Sequence, residues 1–304
     1  MSSEVALTQP GRASVAHAAL ETLRPYQWLK NALVFVPLLA AHRIGEMSLL
    51  GAAGRAFVAF SFCASAVYVL NDLHDAAADR EHPHKRYRPI ASGRLPQWLA
   101  LTLAPLLVVA GLGIAAPLGG AVIGVLAAYL ALMVAYSLHL KRVVLLDGFV
   151  LAAGYALRVL AGGLAVNIRP SARLLAFCIF LFFSLALVKR YAELSLLRQR
   201  DGTAAHARSY LLEDGEFIVA LGISSGVMSV LVLALYMSVG HIEQLYRRSD
   251  FIWGTCILLL YWISYVWLAA HRGRMTDDPL VFAVRDRLSL LLIALMAITA
   301  WLAV

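Results

Sequence analysis

Charge is scarce in this chain. Charged residues occupy 14% of 304 positions and hydrophobic residues 61%, whereas soluble domains carry about a quarter charged. That excludes a water-soluble globule and indicates an all-α, polytopic membrane bundle in a single unit. Cysteine is scarce too. Cys63, Cys178 and Cys256 lie in separate apolar segments with no metal-ligand spacing, so they are read as packing residues. A compact apolar core ending at a cleavage site is missing from Met1–Leu20, which is polar and Ala-rich. We expect a mobile cytoplasmic tail over 1–20 and one membrane domain over 21–304. Matched pairs of Gly/Pro-interrupted spans, which a carrier built from inverted repeats would show, are also missing. Acids are outnumbered: the net charge is +8 and the pI near 9.6. The placement of the basic residues points to membrane topology and an anionic substrate rather than to nucleic acid.

What is present is concentrated in Asn71–Gly93, NDLHDAAADREHPHKRYRPIASG. At roughly 100° per residue on a helix, Asn71, Asp72, Asp75 and Asp79 fall within an arc of about 100°. Carboxylates so arranged repel one another unless a cation lies between them, and hard oxygen donors suit Mg²⁺, with Mn²⁺ as a substitute. Lys85, Arg86, Arg88 and Arg94 follow at once. Acids that hold a metal, followed by guanidinium and ammonium groups, suit a diphosphate.

Apolar runs near 29–42, 50–70, 96–116, 119–137, 146–165, 173–188, 217–239, 251–270 and 287–304 predict about nine transmembrane helices, each close to the ~20 residues that cross a bilayer. The short linkers carry only Arg43, Arg55, Arg169, Arg173, Arg247 and Arg248 with their span ends. The longer ones, 71–95, 138–145, 189–216 and 271–286, carry most of the other basic residues. The bias puts the N-terminus and the charged, site-bearing loops in the cytoplasm.

Other candidates lie at span ends. Lys30 and Asn31, in the amphipathic stretch ETLRPYQWLKN, stand at the mouth of the first run, where Arg24 suits the headgroups and Trp28 reads as an interfacial anchor. Lys189, Arg190 and Tyr191 emerge from a span as Asn71 and Asp72 do, although Lys189 and Glu193 also have the spacing of a simple helix-surface pair. Arg198 and Arg200 read equally well as surface charges, and Tyr210 is a further candidate. The linker RGRMTDDPLVFAVRDR offers a turn at Asp277 and Asp278, and Asp286, either as site residues or as interfacial ion pairs. Arg158 stands at membrane depth, where a charge costs about 2.5–3.5 kcal/mol and seeks a cavity or a partner. Asp147 shares its helix face three turns away, and a structural ion pair between helices is as consistent with the pattern as a substrate role. Gly162 and Gly163 permit close helix packing.

These residues resemble the UbiA superfamily of intramembrane prenyltransferases. Asn71, Asp72, Asp75 and Asp79 match its NDxxDxxxD, and Arg88, Pro89, Ser92 and Gly93 its RPxxSG. The strings RPYQWLKN, HPHKRYRPIASG, KRYAEL and DPLVFAVRDR are similar to the decaprenyl-phosphate phosphoribosyltransferase branch. The second Asp-rich motif usual in the superfamily is replaced here by Lys189–Leu194. The resemblance implies 5-phospho-α-D-ribose 1-diphosphate as donor, a polyprenyl phosphate as acceptor and diphosphate as leaving group. It places the enzyme in a bacterial inner membrane, on a route to the arabinose donor of the cell wall. It also implies a separate phosphatase downstream, and homo-oligomerisation is open. The charges then suggest roles: Asn71, Asp72, Asp75 and Asp79 hold Mg²⁺, Lys85, Arg86 and Arg88 neutralise phosphate charge, and Lys30, Lys189 and Arg190 hold the acceptor phosphate or the 5-phosphate. The alternatives are a conventional prenyltransferase acting on an aromatic or haem-like acceptor, which predicts a second acid cluster after the sixth span, and a carrier for a phosphorylated metabolite or lipid.

Overall fold

The structure is a computed structural model that describes residues 12–199, 206–207, 210–237, 250–275 and 278–303. It is helical apart from a two-stranded antiparallel ribbon of β1 (His206–Ala207) and β2 (Tyr210–Leu211). The α-helices are α1 (Arg12–Leu23), α2 (Val36–Ala40), α3 (Met47–His74), α4 (Ala76–Glu81), α5 (Gln97–Ala115), α6 (Gly120–Leu138), α7 (Leu146–Ala165), α8 (Ala172–Gln199), α9 (Gly215–Met237), α10 (Asp250–His271), α11 (Pro279–Arg285) and α12 (Arg287–Ala303). Among the described residues seven helices are long and apolar enough to cross a membrane, and Arg287–Ala303 is a shorter apolar helix. The expectation of about nine holds approximately: the runs from 50–70 to 251–270 are these seven helices, and the run at 287–304 is the shorter one. The run 29–42 is not a long α-helix but a 3-10 helix, Pro25–Phe35, continued by α2.

The chain forms two compact units: one reaches Leu138 and includes Ala161–Ile168, and the other takes His139–Leu160 and the chain from Arg169. In the first unit the 3-10 segment runs antiparallel along α3. The Trp28 indole N–H donates to Ser65 Oγ (3.0 Å), Asn31 Nδ2 donates to Ser61 Oγ (3.0 Å), and Leu38 packs with Ala53. A 3-10 helix has three residues per turn, so Trp28, Asn31 and Val34 fall on one line and face the same way. Trp28 is thus tied to α3 rather than serving only as an interfacial anchor. Residues 12–20, expected in a mobile tail, belong to α1, whose Ala18 is buried with Ala66, Val69, Ala76, Ile90 and Leu95. Close approaches use glycine. A Cβ on Gly111 would lie 2.8 Å from Cys63 Sγ, and one on Gly162 would run into the Val34 carbonyl. Backbone cannot swing aside as a side chain can, so Gly162→Ala should destabilise the protein by about 1–3 kcal/mol. Thermal unfolding in detergent against Gly113→Ala, where a Cβ meets nothing within 4 Å, checks this.

In the second unit α8 packs on α9, and α10 on α12 and α9. Ser184 Oγ donates to the Gly222 carbonyl (2.6 Å) and accepts from the Trp267 indole (3.1 Å), so one buried hydroxyl joins three helices. Helices α7 and α10 end on left-handed residues. Asn167 (φ 55°) lets Ile168 N–H bond back to the Gly163 carbonyl, and Gly273 (φ 70°) does the same for Arg274 and Ala269.

Candidate active site

α3 carries Asn71 and Asp72 in its last turn and ends at Asp75; α4 then carries Asp79. The four residues were expected on one continuous helix, and the structure corrects this: the helix is interrupted at Asp75 (φ −87°, ψ 0°). Bonds from Asp75 N–H to Asn71 (2.9 Å) and from Asp79 N–H to Asp75 (2.8 Å) carry the helical register across the break. Asp72 and Asp79, seven residues apart, therefore still face one side. Both are buried, at 2% and 4% exposure.

The charge of these carboxylates is met by two arginines. Arg88 Nη1 lies 2.7 Å from Asp79 Oδ2 and 3.2 Å from Asp72 Oδ1. Arg24 Nη2 donates to Asp72 Oδ1 (2.6 Å) and Oδ2 (2.9 Å), with its guanidinium over the Tyr68 ring. Burial alone would lower the Arg24 pKa, but the Asp72 carboxylate outweighs it and the net shift is upward. Among the described residues no three His, Cys, Asp or Glu side chains are gathered as a metal group. The acids are gathered as an arginine-bridged pair instead.

The local sequence explains how Arg88 is held. Pro89 confines it to extended backbone (φ −58°, ψ 143°). The Arg88 carbonyl accepts both the Ser92 hydroxyl (2.8 Å) and the Ser92 N–H (2.9 Å). Gly93 turns the chain at φ 78°, and Leu95 N–H returns to the Pro89 carbonyl (2.9 Å) while Ile90, Ala91 and Leu95 enter the core. RPIASG is thus a closed turn that aims one guanidinium at the acid pair. Gly93→Ala forces a Cβ into left-handed backbone, at a cost of about 1–2 kcal/mol. We expect lower thermal stability, measured by melting in detergent. The neighbouring Lys85 and Arg86 are exposed, and Arg86 donates to the Tyr87 hydroxyl (2.7 Å). Arg94 clasps Glu21 of α1 (2.7 and 3.0 Å) and so fastens this loop to the N-terminal helix.

The second unit places its candidates differently. Arg190 (1% exposed) donates through Nε to Asp147 Oδ2 (2.6 Å) and through Nη1 to Glu193 Oε2 (2.5 Å). The Tyr210 hydroxyl donates to Asp147 Oδ1 (2.6 Å) and accepts from Leu145 N–H (2.9 Å). Burial and then the Asp147 carboxylate push the Tyr210 pKa up, so the phenol stays protonated. Leu145 itself is left-handed (φ 65°) at the start of α7. Asp147 thus ties α7, α8 and the β2 strand together, and its arginine partner is Arg190. Arg158, on the same helix as Asp147, donates to the Gly154 carbonyl (2.7 Å) and lies over the Tyr155 ring.

Lys189 Nζ is 3.8 Å from Asp278, and Tyr191 shares a hydrogen bond with His271 Nδ1 (3.1 Å). Asp286 caps α12 through Ser289 N–H (2.8 Å) and accepts from Tyr265 (3.0 Å). Burial would raise the Asp286 pKa, but these bonds prevail and lower it. In the first unit Asn31 is buried against Ser61, and Lys30 is half-buried. Asp278 caps α11, while Arg200 and Asp277 lie outside the described residues. Arg24 is the residue that sequence reasoning missed: it was assigned to the headgroups, and its Asp72 partner lies 48 positions away.

A family model described as the UbiA prenyltransferase family matches residues 32–290. The nodulation protein NoeC of Azorhizobium caulinodans is 38% identical, with 90% of this chain and 89% of that protein aligned. The decaprenyl-phosphate phosphoribosyltransferase of Mycobacterium tuberculosis is 36% identical over 99% of this chain and 97% of its own. A UbiA homolog from Archaeoglobus fulgidus, solved bound to GPP and Mg²⁺, shares the fold with a TM-score of 0.65 at 16% identity, covering 93% of this chain and 99% of that one. With the membrane helices, the acid end of α3 and the RPIASG turn, these likenesses place the chain: it belongs to the UbiA prenyltransferase family.

Proposed function

We propose that this protein is a membrane phosphoribosyltransferase that moves 5-phosphoribose from 5-phospho-α-D-ribose 1-diphosphate to a polyprenyl phosphate, releasing diphosphate. Its similarity to decaprenyl-phosphate phosphoribosyltransferases supports the substrates. The observation that carries the reading is the Asp72–Asp79 acid pair facing two arginines, with Arg190 buried in the stretch Lys189–Leu194, where a prenyl-diphosphate enzyme would carry a second acid cluster.

Asn71, Asp72, Asp75 and Asp79 offer only hard oxygen donors, and the two buried carboxylates already require cationic partners, so the residues fit Mg²⁺, or Mn²⁺ in its place. Bound there, the metal supplies Lewis-acid stabilisation of the departing diphosphate. Arg88 and Arg24 bind the diphosphate oxygens and take up the charge that grows as the C1–O bond breaks. A lipid phosphate oxygen forms the new bond to C1, and the diphosphate leaves with the electron pair. The attacking phosphate is already anionic at neutral pH, so no general base is needed. Lys85 and Arg86, exposed beside the acid pair, meet the incoming anion. Lys30, Lys189 and Tyr191 are assigned to the acceptor phosphate or the 5-phosphate, and Arg190, Tyr210, Arg158, Asn31 and Asp286 position their helices. The excess of basic residues in the longer linkers supports a site on the cytoplasmic face of a bacterial inner membrane.

The test supplies donor labelled in the ribose, polyprenyl phosphate and Mg²⁺ to protein in detergent, where transport has no meaning. Label in the lipid extract supports the assignment. Folded protein that transfers none overturns it.

A further inference from the structure

Arg24 is held at Asp72 by unusual means. It adopts left-handed backbone (φ 52°, ψ 60°) immediately before Pro25, a position where both its own Cβ and the proline ring favour extended backbone. Its N–H bonds to the Glu21 carbonyl (3.2 Å), and its carbonyl accepts from Gln27 (2.8 Å), so the bend is fixed on both sides. Glycine would carry this conformation more easily but has no guanidinium. A strained residue maintained by its surroundings points to a role for its side chain.

The charges show what that role is. Asp72 and Asp79 contribute two negative charges, and Arg24 and Arg88 two positive ones, so the four groups are balanced as they stand. Both oxygens of Asp72 are engaged. A divalent cation entering here would face two guanidinium groups on the carboxylate it needs. Exposure decides which partner a ligand meets first. The side chains of Arg24 and Arg88 are 19% and 26% exposed, whereas that of Asp72 is 2% exposed. An anion therefore reaches the arginines before a cation reaches the carboxylates.

We propose that Arg24 is a resident counter-cation: it occupies Asp72 in the donor-free protein and gives the carboxylate up to a divalent metal only when a diphosphate takes its guanidinium. Metal and diphosphate then bind as one coupled unit, and neither is held well alone. The proposal rests on the metal-diphosphate reading of this site given above. It explains why the acids are gathered by arginines rather than as an open metal group.

The test needs no phosphoribosyl donor and no turnover. Protein in detergent is titrated with Mn²⁺, with bound metal read by electron paramagnetic resonance, with and without inorganic diphosphate. Binding of labelled diphosphate with and without Mn²⁺ gives the reciprocal measure, which must return the same coupling factor. For the wild type we expect a coupling of about tenfold or more. Arg24→Gln should tighten Mn²⁺ binding in the absence of diphosphate by about tenfold and erase most of the coupling, while Arg24→Lys, which keeps the charge, should bind metal alone as weakly as the wild type. Tight wild-type Mn²⁺ binding that ignores diphosphate would overturn the exchange, and this result needs no variant to fold. So would an Arg24→Gln protein that melts normally and binds metal no better. Absence of metal binding in every arm would overturn the metal reading of the site as well, which separates the two failures.

Discussion

Asp72→Asn should reduce transfer of phosphoribose by at least about 10³-fold. The carboxylate is 2% exposed and is shared by Arg24 and Arg88. The amide has nearly the same shape but removes the charge that both arginines answer. Losing one preorganised electrostatic partner of a developing charge typically costs about 10²–10³ in rate, and here the proposed metal loses a ligand at the same time. The substitution also takes the Asp72 carboxylate from Arg24 and from Arg88, of which Arg88 keeps Asp79, so some stability will be lost. Single-turnover kinetics on protein shown to be folded by its melting profile checks the prediction. A loss smaller than tenfold would remove Asp72 from the centre of the chemistry.

The second large effect is on stability. Asp147→Ala should destabilise the second unit by about 3–5 kcal/mol, because it removes the buried carboxylate of a buried ion pair and leaves Arg190 without it. Arg190, 1% exposed, would keep its bond to the half-buried Glu193 but lose Asp147, and the Tyr210 hydroxyl would lose its acceptor. Breaking the pair and replacing the pair differ in consequence. Combining Asp147→Leu with Arg190→Met substitutes apolar groups for both charges and should recover much of the stability. Melting of Asp147→Leu, Arg190→Met and the double variant gives the coupling directly. If the double variant is as unstable as the sum of the singles, the two side chains do not act as a pair.

Local patterns were readable in the sequence, whereas long-range partners were not. The acid end of α3 and its adjacency to a basic turn followed from residue order alone, because charge at helical spacing after a long apolar run has few other readings. The RPIASG turn could be suspected from its proline and glycine. The pairing of Arg24 with Asp72, across 48 positions, and of Arg190 with Asp147, across 43, could not. Asp147 and Arg158 were legible as lying on one helix face three turns apart, too far to touch; that the cation meeting Asp147 is Arg190 of a neighbouring helix was not. The stretch 29–42 was apolar enough to suggest an α-helical span. Its three-residue spacing of Trp28, Asn31 and Val34 was the available sign of a 3-10 helix, but the bonds to Ser65 and Ser61 that fix it come from another element. Residues 12–20 looked like a tail because their apolar content is mostly alanine. Small side chains suit a helix that lies close against α3, where Ala18 meets Ala66 and Val69.

The most direct test of the account is a choice of donor. Purified protein with Mg²⁺ receives ribose-labelled 5-phospho-α-D-ribose 1-diphosphate and polyprenyl phosphate in one reaction, and polyprenyl diphosphate with a labelled aromatic acid in another. The account predicts label in the lipid phase of the first reaction alone. Product in the second alone would contradict it, and would show that a family member with one acid pair and a buried Arg190 still transfers prenyl groups.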